Sequence, residues 1–296
     1  MWRAYLLGLA ACGFSPAIGA SGDAATIDAI APAKCGELTC DPHATCADGP
    51  TGASCTCATG YAGDGLSCAA VDPCATGNGG CPAACETTGP GQATCYAPTS
   101  CADVAAHTTL ADNATVTLYV GGAANKPWTA TCHGGLEYLT PGNATANFSQ
   151  YTASTKSPGT NVRTTYARLR IDPATLQLDI CDQTFTTSTG SLKHDPAENG
   201  NLLVTSMPLG VAMDCGGSGS HTGAAAIDVT GMPFTIGGSW TATGNGSNGT
   251  ANKSSNGRSV AIAGGGDCGW MAPANAPYNP FNTCSGGKLV QLSYTP

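Results

Sequence analysis

Cys35-Gly36-Glu37-Leu38-Thr39-Cys40-Asp41-Pro42-His43-Ala44-Thr45-Cys46 opens a run of six cysteines that continues through Cys55-Thr56-Cys57 and closes at Cys68. The gaps between them are 4, 5, 8, 1 and 10 residues. A stretch this short cannot bury enough apolar surface to stay folded alone, so cross-links must stand in for a core. Disulfides persist in oxidising compartments, which places the chain outside the cytosol. A zinc cluster is the competing use of such a tract, but tandem Cys-x-x-Cys pairs are missing. Six cysteines allow fifteen pairings, and spacing alone leaves them open.

The close of the run, Cys57-Ala58-Thr59-Gly60-Tyr61-Ala62-Gly63-Asp64-Gly65-Leu66-Ser67-Cys68, together with the Cys55-Thr56-Cys57 pair, resembles an epidermal-growth-factor-like (EGF-like) module over residues 35–68. Gly60, Gly63 and Gly65 suit tight turns, and Tyr61 supplies one large side chain to pack. The resemblance implies the bridges Cys35–Cys46, Cys40–Cys55 and Cys57–Cys68. A second group, Cys74, Cys81, Cys85 and Cys95, is similar to the front of another such module over residues 71–96. Read as a truncated repeat, it implies Cys74–Cys85 and Cys81–Cys95 and a spacer role. Calcium-binding members of the family carry an acidic cluster before the first cysteine. Here Lys34 precedes Cys35, Asp72 stands alone before Cys74, and Asp48 is the remaining acidic position. That is short of the six or more oxygen ligands calcium takes, so no calcium is expected.

Ahead of the modules, Met1-Trp2-Arg3 and the apolar stretch from Ala4 to Ala20 read as an export signal cleaved after Ala20. Gly8, Gly13 and Pro16 break it too often for a transmembrane helix. Leu9-Ala10-Ala11-Cys12 offers a second reading, because it resembles the bacterial lipobox, with a signal over residues 1–11 and Cys12 as the lipid anchor. The expected location is extracellular, or the cell surface through that anchor alone. Of 17 cysteines, setting Cys12 aside leaves sixteen, an even number. Residues 21–34 read as a flexible lead. The net charge of −8 excludes the basic footprint that neutralises phosphates, so nucleic acid is not an expected partner.

From Cys101 the texture changes. Charged residues are 10% of the chain, with 41 glycines and 19 prolines, a composition that opposes long helices. Strand patterns recur at Thr115–Val120, Val162–Asp172, Thr175–Cys181, Leu202–Ser206, Ala224–Thr230, Ser259–Ala263 and Lys288–Tyr294. Asp172-Pro173-Ala174-Thr175 reads as a turn, and Gly244–Gly249 as loop punctuation. Residues 100–296 are long enough for a true core and are expected to be all-β or nearly so. The fold class is therefore mainly β: small disulfide-rich modules followed by one larger β domain.

An ordered series of motifs runs through that domain. It includes Ser100-Cys101-Ala102-Asp103-Val104, Val116-Thr117-Leu118-Tyr119-Val120-Gly121-Gly122, Cys132-His133, Leu136-Glu137-Tyr138-Leu139-Thr140, Asn147-Phe148-Ser149-Gln150-Tyr151 and Gly264-Gly265-Gly266-Asp267-Cys268-Gly269-Trp270. The series resembles the GON domain found at the C-terminus of some ADAMTS-type secreted metalloproteases and in bacterial secreted proteins. The start also resembles fibrinogen-like domains, which implies a Cys101–Cys132 bridge. The pairing of Cys181, Cys215, Cys268 and Cys284 stays open. These resemblances imply a stalk that presents a β domain for binding or adhesion to an extracellular protein or glycan.

Catalytic signatures are missing. None of His43, His107, His133, His194 and His221 is followed at i+4 by another histidine, so the His-Glu-x-x-His zinc helix of the proteases is absent and no zinc is expected. There is no Gly-x-Ser-x-Gly elbow or P-loop. A hydrolase using carboxylates among Asp179, Asp214, Asp228 and Asp267 is the alternative function, though nothing in the sequence fixes their separation. Trp128, Trp240 and Trp270 read as core residues before they read as sugar platforms. Asn113, Asn143, Asn147, Asn245, Asn248 and Asn252 each open an Asn-x-Ser/Thr sequon.

Overall fold

A computed structural model describes residues 34–50, 52–195, 202–217, 219–244, 248–274, 276, 284 and 287–296. The export signal in either reading, Cys12, the lead through Ala33 and the Asn245 sequon lie outside the described residues. The chain is mainly β and rich in disulfides. It divides into two compact units, Met1–Asp72 with Gly89–Gln92, and Pro73–Thr88 with Ala93–Pro296.

The first unit is three small hairpins among the described residues, the shortest pairing Lys34–Cys35 with Leu38–Thr39. Ala44–Gly49 pairs with Gly52–Cys57, placing Cys46 opposite Cys55, and Tyr61–Gly63 pairs with Cys68–Ala70. The structure joins Cys35 to Cys46, Cys40 to Cys55 and Cys57 to Cys68. Its buried apolar residues are Cys35 and Cys40, so sulfur occupies the place of a core. Gly65 is required where it stands: φ is +85°, and a Cβ there would lie 2.2 Å from the Cys55 carbonyl oxygen.

The second unit starts with the hairpin strand Ala84–Gly89 and the bridges Cys74–Cys85 and Cys81–Cys95. The short helix Cys101–His107 follows, its start capped by the Ser100 hydroxyl, which accepts from Asp103 N–H at 3.0 Å. Cys101 is bonded to Cys132, and its N–H donates to buried Glu137 Oε1 at 2.8 Å. Arg170 completes this anchor, with Nη1 3.2 Å from Glu137 Oε2.

Two large sheets follow among the described residues, beside a two-stranded one of Leu192–Lys193 and Leu203–Val204. In the seven-stranded sheet the order is Phe234–Ile236, Lys288–Tyr294, Gln177–Asp179, Leu169–Asp172, Leu136–Leu139, Pro127–His133, Ala114–Tyr119. The path of the nine-stranded sheet runs Trp240–Thr243, Trp270–Pro273, Ala212–Asp214, Phe148–Thr152, Gly223–Asp228, Ser259–Gly265, Asn248–Lys253, with Val162–Tyr166 and Thr186–Thr189 added beside Phe148–Thr152. Both sheets send alternate side chains into one apolar core: Trp128, Leu139, Ile171, Leu178 and Leu292 from the first, Ile227, Val260 and Ile262 from the second. A second cluster gathers Tyr151, Leu192, Met207, Val211, Met213, Cys215 and Trp270. Bridges Cys181–Cys284 and Cys215–Cys268 staple the unit.

The run Val162–Asp172 is one strand by pattern and two in space. Val162–Tyr166 belongs to the nine-stranded sheet and Leu169–Asp172 to the seven-stranded one. Val162, Thr164 and Tyr166 are buried, then Leu169 and Ile171, so the alternation slips by one residue at Ala167-Arg168. That slip marks the change of sheet. The strand expected at Thr175–Cys181 shortens to Gln177–Asp179, because the preceding turn extends through Leu176 at φ +57°. Asp172 Oδ1 holds this turn by accepting from Ala174 N–H and Thr175 N–H.

Candidate functional site

In strand Pro127–His133, Trp128 and Ala130 point into the core, which turns Thr129 and Thr131 to the opposite face of the sheet. Register carries that face sideways. Thr129 stands opposite Thr117, Thr131 opposite Thr115 on one side and Tyr138 on the other, and Tyr138 stands opposite Arg170. Thr131 and Thr140 are joined by a 2.9 Å hydroxyl–hydroxyl hydrogen bond. A cavity of about 400 Å³ opens here. Four threonines, Thr115, Thr129, Thr131 and Thr140, line it together with the apolar Leu139, Met232, Pro233 and Phe234, and Arg168 brings the charge.

Arg168 is held rather than loose. Its Nη1 donates to Asn113 Oδ1 at 2.6 Å, and the guanidinium lies 4.3 Å from the centre of the Phe185 ring. Asn113 is in position through a turn at φ +63°, a conformation asparagine tolerates, with its N–H bonded to the Cys132 carbonyl at 2.7 Å. Phe185 in turn meets Tyr138 and His133 edge to face, each at 4.9 Å. The Tyr138 hydroxyl donates to Asp182 Oδ2 at 3.0 Å, and burial pushes its phenol pKa up, so it stays a donor. His133 Nδ1 is 2.9 Å from Asp112 Oδ2. The pocket lining thus brings together one held cation, four hydroxyls and the apolar side chains of Leu139, Met232, Pro233 and Phe234. Among the described lining residues Arg168 is the sole ionisable group, so no nucleophile and base face each other there.

The carboxylates weighed for hydrolysis have other partners. Asp179 Oδ1 accepts from Cys181 N–H and Asp228 Oδ1 from Thr230 N–H, while Asp267 pairs with Lys156. Asp214 is fully buried and ties the loop that follows it to the turn at Gly266. Its Oδ1 accepts from Gly216 N–H at 2.7 Å and Gly266 N–H at 3.1 Å, and its Oδ2 from Thr222 N–H at 2.7 Å, the Thr222 and Ser220 hydroxyls, and Gly223 N–H. Burial alone would raise its pKa, but the donors from Gly216, Thr222 and Gly266 outweigh that and hold the carboxyl below its ordinary value. In the first unit, both oxygens of Asp41 serve backbone N–H groups, of His43 and Cys68, and one oxygen of Asp64 serves Leu66 and Ser67. Asp48 is exposed.

Trp128 and Trp270 are buried, while part-buried Trp240 packs against the core and donates to the Gly210 carbonyl at 3.0 Å. His43 stacks on Tyr61 and His107 on Tyr96, each at 4.2 Å between ring centres. His221 is exposed, whereas His194 is fully buried. Around His194 lies a polar group that no linear motif announces. The Tyr151 hydroxyl is 2.5 Å from His194 Nδ1, 2.7 Å from Ser157 Oγ and 2.8 Å from Cys215 Sγ, inside the second apolar cluster. Burial lowers the His194 pKa and raises that of Tyr151 well above the ordinary phenol value.

Neither Arg168 with its threonines nor the His194 group stands out in the sequence. The legible trace of the first was the pair of Thr-x-Thr triplets, Thr115–Thr117 and Thr129–Thr131, and only register makes them neighbours. Among the described residues the structure holds eight disulfides, and no described helix is long and apolar enough to cross a membrane, which is compatible with an extracellular protein. No protein-family model, no curated protein and no solved structure matches the chain.

Proposed function

We propose that this chain is an exported binding protein in which EGF-like modules act as a stalk and a GON-like β domain takes an extracellular ligand in the threonine-lined cavity. The observation that carries the reading is the held guanidinium of Arg168 in one cavity with Thr115, Thr129, Thr131 and Thr140 and with apolar residues that include Phe234. Arg168 suits an acidic group, the hydroxyls suit a ligand rich in hydrogen-bonding partners, and Phe234, Met232 and Pro233 suit its carbon face. A glycan bearing a carboxylate combines all three. The chain carries a net charge of −8, so a local cation is a selective attachment point for an anion. Export is supported by the apolar start of the sequence and by the density of paired cysteines.

The test is a glycan array probed with the full-length protein and with Arg168→Ala. Binding to acidic glycans that falls at least about tenfold in Arg168→Ala, the scale of one lost charge-assisted contact, supports the reading. Binding that is equal for the two proteins, or confined to neutral glycans, overturns it. Thermal unfolding of Arg168→Ala separates a lost contact from a lost fold.

A further inference from the structure

Arg168 lines the cavity with much of its freedom already spent, and what remains decides which anion it can hold. The N–H donors of a guanidinium all lie in one plane. Here Nη1 donates to Asn113 Oδ1 at 2.6 Å, and the Phe185 ring centre lies 4.3 Å from the guanidinium carbon, so that one face is covered. Nε and Nη2 have no hydrogen-bond partner among the described residues. Their outward N–H bonds run side by side, the pattern that a planar carboxylate accepts with both oxygens.

The hold on Nη1 is itself braced. Asn113 stands in its turn at φ +63°, with its N–H bonded to the Cys132 carbonyl. Its Nδ2 donates to Asp112 Oδ2 at 3.2 Å, and Asp112 Oδ1 accepts from Gly134 N–H at 2.9 Å. With the donor end of the amide turned to a carboxylate, its acceptor end is turned to Arg168. Phe185 is seated too, edge to face against Tyr138 at 4.9 Å. Resting on the binding reading above, we propose that Asn113 and Phe185 are positioning residues that leave the Nε–Nη2 edge of Arg168 for a single carboxylate, so that the cavity takes carboxylated sugars in preference to sulfated ones.

The chemistry separates the two anions. A carboxylate concentrates its charge on two coplanar oxygens, and one guanidinium edge serves both. A sulfate monoester spreads one charge over three oxygens in a tripod. The same edge serves two of them, and the third must give up water for uncharged donors. A second cation is missing, since Arg168 is the sole ionisable group in the described lining. Polysulfated chains would meet a protein of net charge −8 with that one cation to receive them. A loose arginine would turn any edge to either anion and blur the choice. Holding Nη1 and one face removes those alternatives before the ligand arrives, and less side-chain entropy is lost on binding.

The experiment uses the full-length protein and pairs of glycans alike in all but the terminal acid, a sugar carboxylate in one and a sugar sulfate monoester in the other. Affinities are compared for wild type, Asn113→Gly, Phe185→Leu and Arg168→Lys. Glycine keeps the positive φ of residue 113 without strain, so Asn113→Gly removes the side chain alone. Wild type should prefer the carboxylate at least about tenfold, the scale of one well-made charge-assisted contact. Arg168→Lys keeps the charge and loses the fork, and it should bring the preference to about threefold or less, as should Asn113→Gly. A second arm needs no ligand: nitrogen-15 NMR of the arginine side chains should show slow guanidinium rotation at Arg168, and faster rotation in Asn113→Gly and Phe185→Leu. Equal wild-type affinity for the two anions overturns the inference, as does a preference and a rotation rate unchanged in both Asn113→Gly and Phe185→Leu. In those cases acidic glycans still bind through Arg168 and the broader reading stands; binding that ignores Arg168 removes that reading and this inference with it.

Discussion

Replacing Asp214 by asparagine should be among the most damaging single-atom changes available to this protein. The carboxylate accepts from backbone N–H groups on both oxygens: Gly216 and Gly266 on Oδ1, Thr222 and Gly223 on Oδ2, with the Ser220 and Thr222 hydroxyls added. An asparagine must aim its NH₂ at one of these two sets. Whichever way it turns, at least two buried backbone donors lose their acceptor and face another donor. Hydrogen bonds to a charged group are worth about 1.5–3 kcal/mol each, so the loss is about 3–6 kcal/mol. Rotation or backing away offers little relief. A Cβ on Gly265 would sit 2.4 Å from Asp214 Oδ2, and one on Gly223 2.3 Å from Met213 N, which measures how tightly the loops are drawn around the carboxylate. For a domain of this size each kcal/mol moves Tm by roughly 2–4 °C, so Asp214→Asn should unfold roughly 10 °C below wild type. Near-ultraviolet circular dichroism of the non-reduced full chain at pH 7 is the assay. Asp214→Ala, which removes the acceptor from every donor, should fall at least as far. A shift of less than roughly 2 °C for Asp214→Asn would refute the reasoning and show that the loops do not depend on the charge.

Asn147 is the second buried polar tie: Nδ2 donates to the Asp228 carbonyl at 3.1 Å and Oδ1 accepts from Asp228 N–H at 2.8 Å. Asn147→Ala should cost about 2–3 kcal/mol by chemical denaturation, and in a glycosylating host Asn147 should stay bare while exposed Asn113 and Asn143 are open to modification, read by mass spectrometry. Asp41 in the first unit has its pKa lowered by the backbone donors His43 and Cys68 and by the His43 ring. Because the folded value is the depressed one, its contribution is present above the unfolded value of about 3.9 and is lost as pH falls through the folded value; hydrogen exchange at Cys68 should accelerate there in wild type, and an unchanged pH profile in Asp41→Asn would contradict the assignment. Cys181–Cys284 closes a span of 103 residues, so Cys181→Ala/Cys284→Ala should lose about 2–4 kcal/mol, measured by urea unfolding without reductant.

Local chemistry was decisive wherever the constraint is local. The cysteine run, the positive-φ glycines near Cys68, the Asp172 turn and the alternation of Val162–Tyr166 and Gly223–Asp228 can each be read in place, because strand faces repeat every second residue and short cysteine-rich segments have no other way to hold together. The change of sheet at Ala167-Arg168 was not read there, because it shows only as a one-residue slip in the buried positions. Tertiary structure alone decided the sites. Thr115, Thr131, Thr140 and Arg168 meet through the register of four antiparallel strands, and Tyr151, His194, Cys215 and Cys268 meet although up to 117 positions separate them in the chain, counted from Tyr151 to Cys268. It likewise chose Cys181–Cys284 and Cys215–Cys268 from the pairings left open. The reason is physical: pairing between strands depends on which apolar faces close on the common core, a property of all the strands together, and no spacing within one segment records it.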